Sequence, residues 1–374
     1  MHCKFLEHGL SIAYDHAVKP CCAWKYDKIY ADQNQIADTN FTTWHKSIPI
    51  ITAKNLLSTG SWPNSCTFCS DAEKQGRLDS IRGNGNQSYS LYKNDDITLE
   101  IRPGSICNFA CQTCWPEASS RVANYHQQAG LIKIGNLNSQ SIQNFDFLLP
   151  VKHRIKSVIL LGGEPFYDKN CLKFLEWAKH NLTAEITMFT NGSQIDWQWI
   201  KEYSNTINLV FSLDAVGKPA EYIRYGTEWA IVKENYTKLK NFHNVSLRVN
   251  ITTSVYNYSY ISDIIEMLIT DWPTVVSFGT PHQAMFRETS VPKLYREQLI
   301  KKLLKTTTKI RQANIENNQK NNAINALTSI VKNLNGSFDQ GLYNQLKNFV
   351  ATMDKVKKIN IEDYCPETAV YFKP

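Results

Sequence analysis

Three cysteines crowded into residues 107–114, Cys107-Asn108-Phe109-Ala110-Cys111-Gln112-Thr113-Cys114, constrain this chain more than any other stretch. Their C-x3-C-x2-C spacing lies between a predicted strand and a predicted helix. The strand covers residues 97–102, where Ile97, Leu99 and Ile101 alternate with polar residues; the helix covers 116–130, opening on Pro116 and closing on Gly130. Three thiolates on one tight loop can hold three corners of a cubane iron–sulfur cluster. A fourth would saturate it, so three leave one iron open to a substrate or cofactor. A zinc site or three free thiols would show the same spacing, and only the rest of the chain separates these readings.

The composition suits a metal or cluster protein of a reducing compartment. Ten cysteines in a chain whose start, Met1-His2-Cys3-Lys4-Phe5-Leu6-Glu7, lacks the apolar core of a signal peptide argue for ligation rather than disulfides, and the expected location is cytoplasmic. No apolar run reaches the length of a membrane span, so no membrane association is expected. With 43% hydrophobic and 20% charged residues the chain is globular, and 374 residues suit two domains or one large α/β barrel with additions. The net charge of +7 permits an anionic partner such as nucleic acid or a substrate phosphate. Lys301-Lys302 and Lys355-Val356-Lys357-Lys358 read as solvated helix faces.

Three segments follow from the pattern. Residues 1–94 are rich in Cys, Trp, Asn and Ser and poor in periodic stretches; so small and loop-rich a region would gain folding free energy from a bound metal or cluster. They hold Cys3, Cys21-Cys22 and Cys66-Thr67-Phe68-Cys69, a helix start at residues 70–74, and a loop at 82–88. Residues 95–285 alternate short apolar runs with helical stretches. Further strands are predicted at 156–161, 185–190, 208–213, 245–251 and 274–278, with helices at 170–180, 227–241 and 261–269. Six strands alternating with helices give parallel βα units, whose C-terminal strand ends carry the chemistry, and the cysteine loop lies at such an end. Residues 286–374 read as helical at 294–317, 321–334 and 342–353, with a terminal loop at 363–367.

Leu161-Gly162-Gly163-Glu164-Pro165-Phe166 follows the second of these strands. Two glycines at a strand end allow close approach of a ligand to the backbone, and a carboxylate accepts hydrogen bonds from an ammonium. The cysteine motif, with this Gly-Gly-Glu turn one βα unit later, resembles the signature of the radical S-adenosylmethionine (SAM) enzymes. Thr113 departs from it, standing where the family usually has an aromatic residue. The resemblance implies a partial (β/α)6 TIM-like barrel. It implies a [4Fe-4S] cluster on Cys107, Cys111 and Cys114, and SAM chelating the open iron, its amino group at Gly162, Gly163 and Glu164. It also implies reductive cleavage of SAM to an adenosyl radical that abstracts hydrogen from substrate, with electrons from a flavodoxin- or ferredoxin-like donor. Thr190-Asn191, Ser212 and Asp214 end the next two strands, where the family often places groups near the SAM ribose. Arg224 could pair with the SAM carboxylate, and Asn250 is a further candidate.

The N-terminal Cys3, Cys21, Cys22, Cys66 and Cys69 resemble the auxiliary-cluster modules called SPASM and twitch domains, although those usually follow the barrel. Four of these thiolates would saturate a second iron–sulfur cluster or a zinc ion. The resemblance implies a peptide or protein substrate first and a nucleotide or nucleic acid second. A non-catalytic zinc or iron–sulfur binding protein is the alternative class. Cys171 and Cys365 read as small buried hydrophobes, and His126, Glu117 and Tyr167 lie near the signature loops without a spacing that selects them.

Overall fold

The structure, a computed structural model, describes residues 1–13, 18–25, 45–74, 80–83, 93, 95–133, 141–272 and 274–372; positions 84–88 of the predicted loop lie outside them. Its frame is an eight-stranded sheet of β1 (Gly9–Ile12), β2 (Val18–Lys19), β3 (Ile97–Ile101), β4 (Ile155–Leu160), β5 (Glu185–Thr190), β6 (Ile207–Ser212), β7 (Val245–Thr252) and β8 (Val275–Gly279), in the order β2-β1-β3-β4-β5-β6-β7-β8. From β3 onward all neighbours pair in parallel, in sequence order. This is the α/β class and the six-stranded βα series read from the sequence, an open partial (β/α)6 barrel.

The sheet extends two strands further than that reading. β1 pairs in parallel with β3, matching Leu10 to Leu99 and Ile12 to Ile101, and β2 folds back antiparallel on β1. Gly9-Leu10-Ser11-Ile12 is too short to show an alternation in sequence, and its partner lies some 90 residues away. The N-terminal segment also forms α1 (Phe5–His8), α2 (Ile48–Ser58) and α3 (Thr67–Lys74), the last starting three residues earlier than expected. Leu6, Trp24, Ile50, Ala53 and Leu57 form a small apolar cluster there, against which Cys3, Cys21 and Cys66 pack.

Register makes the sheet two-sided. Leu10, Leu99, Val158, Ile186, Leu209, Val249 and Val276 fall on one face and join the main core. Ser11, Glu100, Thr187, Asn208, Ser212, Asn250 and Ser277 occupy the other. A side-chain period of two puts most apolar strand residues on the side that the helices cover, with Ile159, Phe189, Val210 and Val275 on the other face.

Those helices are α4 (Ser120–Gln128), α5 (Lys169–Asn181), α6 (Trp197–Glu202), α7 (Lys218–Ile223), α8 (Trp229–Leu239) and α9 (Ile261–Thr270). The helix predicted from Pro116 begins at Ser120 instead. Pro116–Ala118 is a 3-10 turn, and Ser119 caps α4 by accepting from the Val122 N–H at 3.3 Å. The six-residue helices α6 and α7 were too short for a periodic signal.

The C-terminal segment forms α10 (Lys293–Gln312), α11 (Asn317–Leu334) and α12 (Gln340–Lys357). Short helices α13 (Ile361–Tyr364) and α14 (Pro366–Ala369) stand where a loop was expected. Arg296 ties this segment together. Only 6% exposed, its guanidinium donates to the carbonyls of Val291 (2.8 Å), Leu334 (2.9 Å), Gly336 (2.8 Å), Glu288 (3.1 Å), Thr289 (3.3 Å) and Ser337 (3.3 Å).

Candidate functional site

The cysteine loop leaves β3 without regular structure, yet its backbone is paired along its length. The Ile106 N–H donates to Asp168 Oδ2 at 2.8 Å and the Cys107 N–H to Ser120 Oγ at 3.3 Å. The Ala110 and Gln112 N–H groups donate to the carbonyls of Tyr225 and Ile223, both at 2.8 Å. Ser119 Oγ donates to the Phe109 carbonyl at 3.0 Å, and Arg121 donates to the Asn108 carbonyl. Phe109 is buried at 1% exposure and Thr113 at 8%. So many fixed points hold the directions of the three thiols.

Burial pushes the Cys107 thiol up to about 12, with the Cys111 thiol adding to the shift. Burial also raises Cys111 and Cys114, and for Cys114 the two other thiols add to it. The three thiols are thus held neutral until a cation takes their protons' place. Among the described residues, no three His, Cys, Asp or Glu side chains already stand close enough to hold one metal ion.

The Gly-Gly-Glu turn after β4 sits directly on this loop. The Glu164 N–H donates to the Ile106 carbonyl at 3.0 Å. A Cβ on Gly163 would lie 2.1 Å from that same carbonyl oxygen, and one on Gly162, at φ +149°, would lie 2.8 Å from the Gly104 carbonyl oxygen. In the structure the glycines admit the protein's own cysteine-loop backbone.

Glu164 is 1% exposed. Its Oε1 accepts from the Thr190 hydroxyl at 2.6 Å and its Oε2 from the Asn191 N–H at 2.7 Å, while burial pushes the carboxyl up to about 7. The Asn191 amide donates to Asn108 Oδ1 at 2.8 Å, and the Asn108 amide to Ser193 Oγ at 2.9 Å. The ends of β3, β4 and β5 are thus one hydrogen-bonded unit.

Asp214 and Arg224 meet each other. Asp214, 1% exposed, accepts from Arg224 Nη1 at 2.9 Å and from the Thr252 N–H at 2.8 Å. Arg224 also lies within electrostatic reach of Cys111 and Cys107. Burial alone would lower it, but those thiols and Asp214 hold it above its ordinary value. Its Nε is buried with no partner among the described residues. Ser212 and Asn250 are register partners across β6 and β7, and Asn250 Oδ1 accepts from Ser277 Oγ at 2.9 Å.

In the N-terminal segment, Cys3, Cys21, Cys66 and Cys69 line one small cavity with Leu6, Trp24 and Trp62. Cys22 is not part of it; its thiol is hydrogen-bonded to the buried Glu100. Burial pushes Cys3 up to about 11 and Cys66 up to about 12. His282, in the segment after β8, links the two cysteine regions. Its ring centroid is 4.3 Å from that of Trp115, next to Cys114, and 6.0 Å from that of Phe68, between Cys66 and Cys69.

Other candidates fall outside the site. Cys171 and Cys365 are fully buried in the core, and His126 packs on Phe349. Glu117 and Tyr167 are exposed. Sequence reasoning missed two anchors of the loop. Asp168 caps α5, accepting from the Asn170 N–H at 2.8 Å, while its Oδ2 holds Ile106; its position before the helix was a legible capping signal. Lys357, read as a solvated residue, is 5% exposed and reaches into the loop.

No protein-family model and no curated protein matches the chain. Among solved structures, anSMEcpe with bound AdoMet is similar at 18% identity over 58% of this chain and 59% of that one, with a TM-score of 0.43. Streptococcus suis SuiB bound to S-adenosylmethionine is similar at 13% identity over 82% and 70%, with a TM-score of 0.38. TYW1 with a lysine-pyruvate adduct bound is similar at 16% identity over 58% and 74%, with a TM-score of 0.34. The chain thus spans 59% of the length of anSMEcpe.

Proposed function

We propose that this chain is a radical SAM enzyme that uses a three-cysteine [4Fe-4S] cluster to cleave SAM and abstract hydrogen from a peptide or protein side chain. The observation that carries the reading is the seating of the Gly-Gly-Glu turn on the C-x3-C-x2-C loop, joined through Glu164 and Ile106 at adjacent parallel strand ends. Neither zinc nor free thiols would call for a second motif packed so closely on the first.

The residues present fit the groups. Cys107, Cys111 and Cys114 would hold the cluster. Arg224, with its unpartnered buried Nε, would face the anionic cluster or the SAM carboxylate. The chemistry such a cluster supplies is one low-potential electron, delivered by a flavodoxin- or ferredoxin-like donor, that breaks a sulfonium C–S bond. The protein's part is positional. Asp168, Ser120 and Arg121 fix the loop, Asp214 aims Arg224, and Glu164 ties the β4 turn to Thr190 and Asn191.

Anaerobic reconstitution followed by dithionite reduction with SAM should yield 5′-deoxyadenosine. None from the intact protein, beside an active control enzyme, would sink the proposal.

Residues 1–94 contribute a second cluster in this reading, on Cys3, Cys21, Cys66 and Cys69. The four thiols share one cavity and Cys22 does not, which supports that choice of ligands. Replacing Cys21 or Cys66 by alanine should remove about four irons per chain, whereas Cys22→Ala should leave the iron content unchanged. Metal analysis that finds zinc in place of iron would assign the module to the zinc alternative. A peptide substrate follows from the resemblance of this module to auxiliary-cluster domains.

A further inference from the structure

The end of α12 reaches the cysteine loop from the far end of the sequence. Lys357, the last residue of the helix, is 5% exposed. Its ammonium donates to the carbonyl of Ala110, the residue before Cys111, at 2.9 Å and to Oε1 of Gln112, the residue after it, at 3.0 Å. Gln112 is itself held, its amide donating to the Tyr222 carbonyl at 3.2 Å. The ammonium lies 5.2 Å from the Tyr225 ring centroid and 5.8 Å from that of Tyr125, so two aromatic faces shield it from water.

The helix is built to deliver this group. Asp354, one turn back, accepts from the Tyr222 hydroxyl at 2.8 Å and from the Ile361 N–H at 2.9 Å. The Tyr225 hydroxyl donates to the Lys357 carbonyl at 3.2 Å. Lys358 then adopts the left-handed conformation at φ +56°, ending the helix there. A non-glycine residue in that region is strained, and the contacts around Lys357 and Asp354 hold it so.

We propose that Lys357 is a positioning residue for the cysteine loop that also raises the reduction potential of the cluster the loop holds. This rests on the radical SAM reading above. A cluster on three thiolates gains negative charge when it takes an electron. A fixed cation, poorly screened among buried groups, favours the reduced form. Arg121 and Arg224 flank the same loop, but Arg224 is bonded to Asp214. Among the described residues Lys357 forms no ion pair; it donates to loop groups and lies against two aromatic rings, with Asp354 one turn back within electrostatic reach.

The test uses the full chain, reconstituted anaerobically, as wild type and as the Lys357→Met, Lys357→Gln and Lys357→Arg variants. Iron content is measured, together with the midpoint potential of the electron paramagnetic resonance signal that responds to added SAM. The two neutral variants should keep the cluster with a midpoint more negative than wild type, and the arginine variant should stay near the wild-type value. Iron lost from both neutral variants and retained with arginine also supports the assignment. Neutral variants at the wild-type potential would overturn it, as would an arginine variant shifted as far as methionine or iron lost from all three. A wild type with no SAM-responsive cluster would instead overturn the reading on which the proposal rests.

Discussion

Gly163→Ala should abolish cluster binding at the three-cysteine loop. The added Cβ would stand 2.1 Å from the Ile106 carbonyl oxygen and 2.4 Å from its carbon, atoms of the backbone that no rotamer change can move aside. Relief requires the β4 turn to lift off the loop. That movement breaks the bond from the Glu164 N–H to Ile106 and pulls on the bonds from Glu164 to Thr190 and Asn191. Overpacking of this kind costs about 1–3 kcal/mol, or more where backbone must yield. The expected result is a protein with a melting temperature about 1–4 °C below wild type. It would also have lost the SAM-responsive iron signal. Wild-type cluster content in this variant would show that the turn is not seated on the loop as described.

Arg296→Met should be the most destabilising single change in the C-terminal segment. The methionine fills much of the same space but removes a donor from six buried or part-buried carbonyls, of which, among the described residues, only those of Glu288 and Thr289 keep a backbone N–H, from Val291 and Asp339. Each unsatisfied buried acceptor costs about 1–3 kcal/mol, less whatever water regains access, so a loss of at least about 3 kcal/mol is expected. Because α11 and the residues after it share these carbonyls with the turn before α10, limited proteolysis should cut first near residues 288–291 or 334–337. Denaturant unfolding measures the first effect, and mapping of the nicked fragments the second. A change in stability under about 1 kcal/mol would mean that the carbonyls find other partners.

The two changes probe opposite kinds of residue. Gly163 belongs to a motif visible in the sequence, but the physical reason for it was not visible. A glycine pair at a strand end permits close approach of anything, and only the packing of β3 against β4 identifies the cysteine loop as what approaches. Arg296 gave no sequence signal. A single arginine on a helix reads as exposed, and its burial follows from the meeting of two helix ends that lie some 40 residues apart.

The candidate site divides the same way. Glu164, Thr190 and Asn191 were separately legible as strand-end polar residues, and their mutual bonding follows from strand order. Asp214 and Arg224 were assigned to different ligand groups, but a buried carboxylate beside a buried guanidinium lowers the cost of burying either charge, and the fold brings the two to 2.9 Å. Cys21 and Cys22 could not be told apart along the chain. In the turn after β2 the backbone sends one thiol to the cavity of Cys3, Cys66 and Cys69 and the other to Glu100.

The sequence by itself determined the alternation of six strands with helices, the three-cysteine loop after the first of them, and the Gly-Gly-Glu turn after the second. These are local signals, set by side-chain period, residue spacing and the special backbone freedom of glycine. Only the tertiary structure decided that a four-residue N-terminal strand extends the sheet, that the glycines serve the cysteine loop, and that Lys357 reaches that loop from the end of α12. Each of these depends on a contact between residues far apart in the chain. Such contacts are selected by which surfaces are left to bury once the local elements have formed, and no window of sequence contains that information.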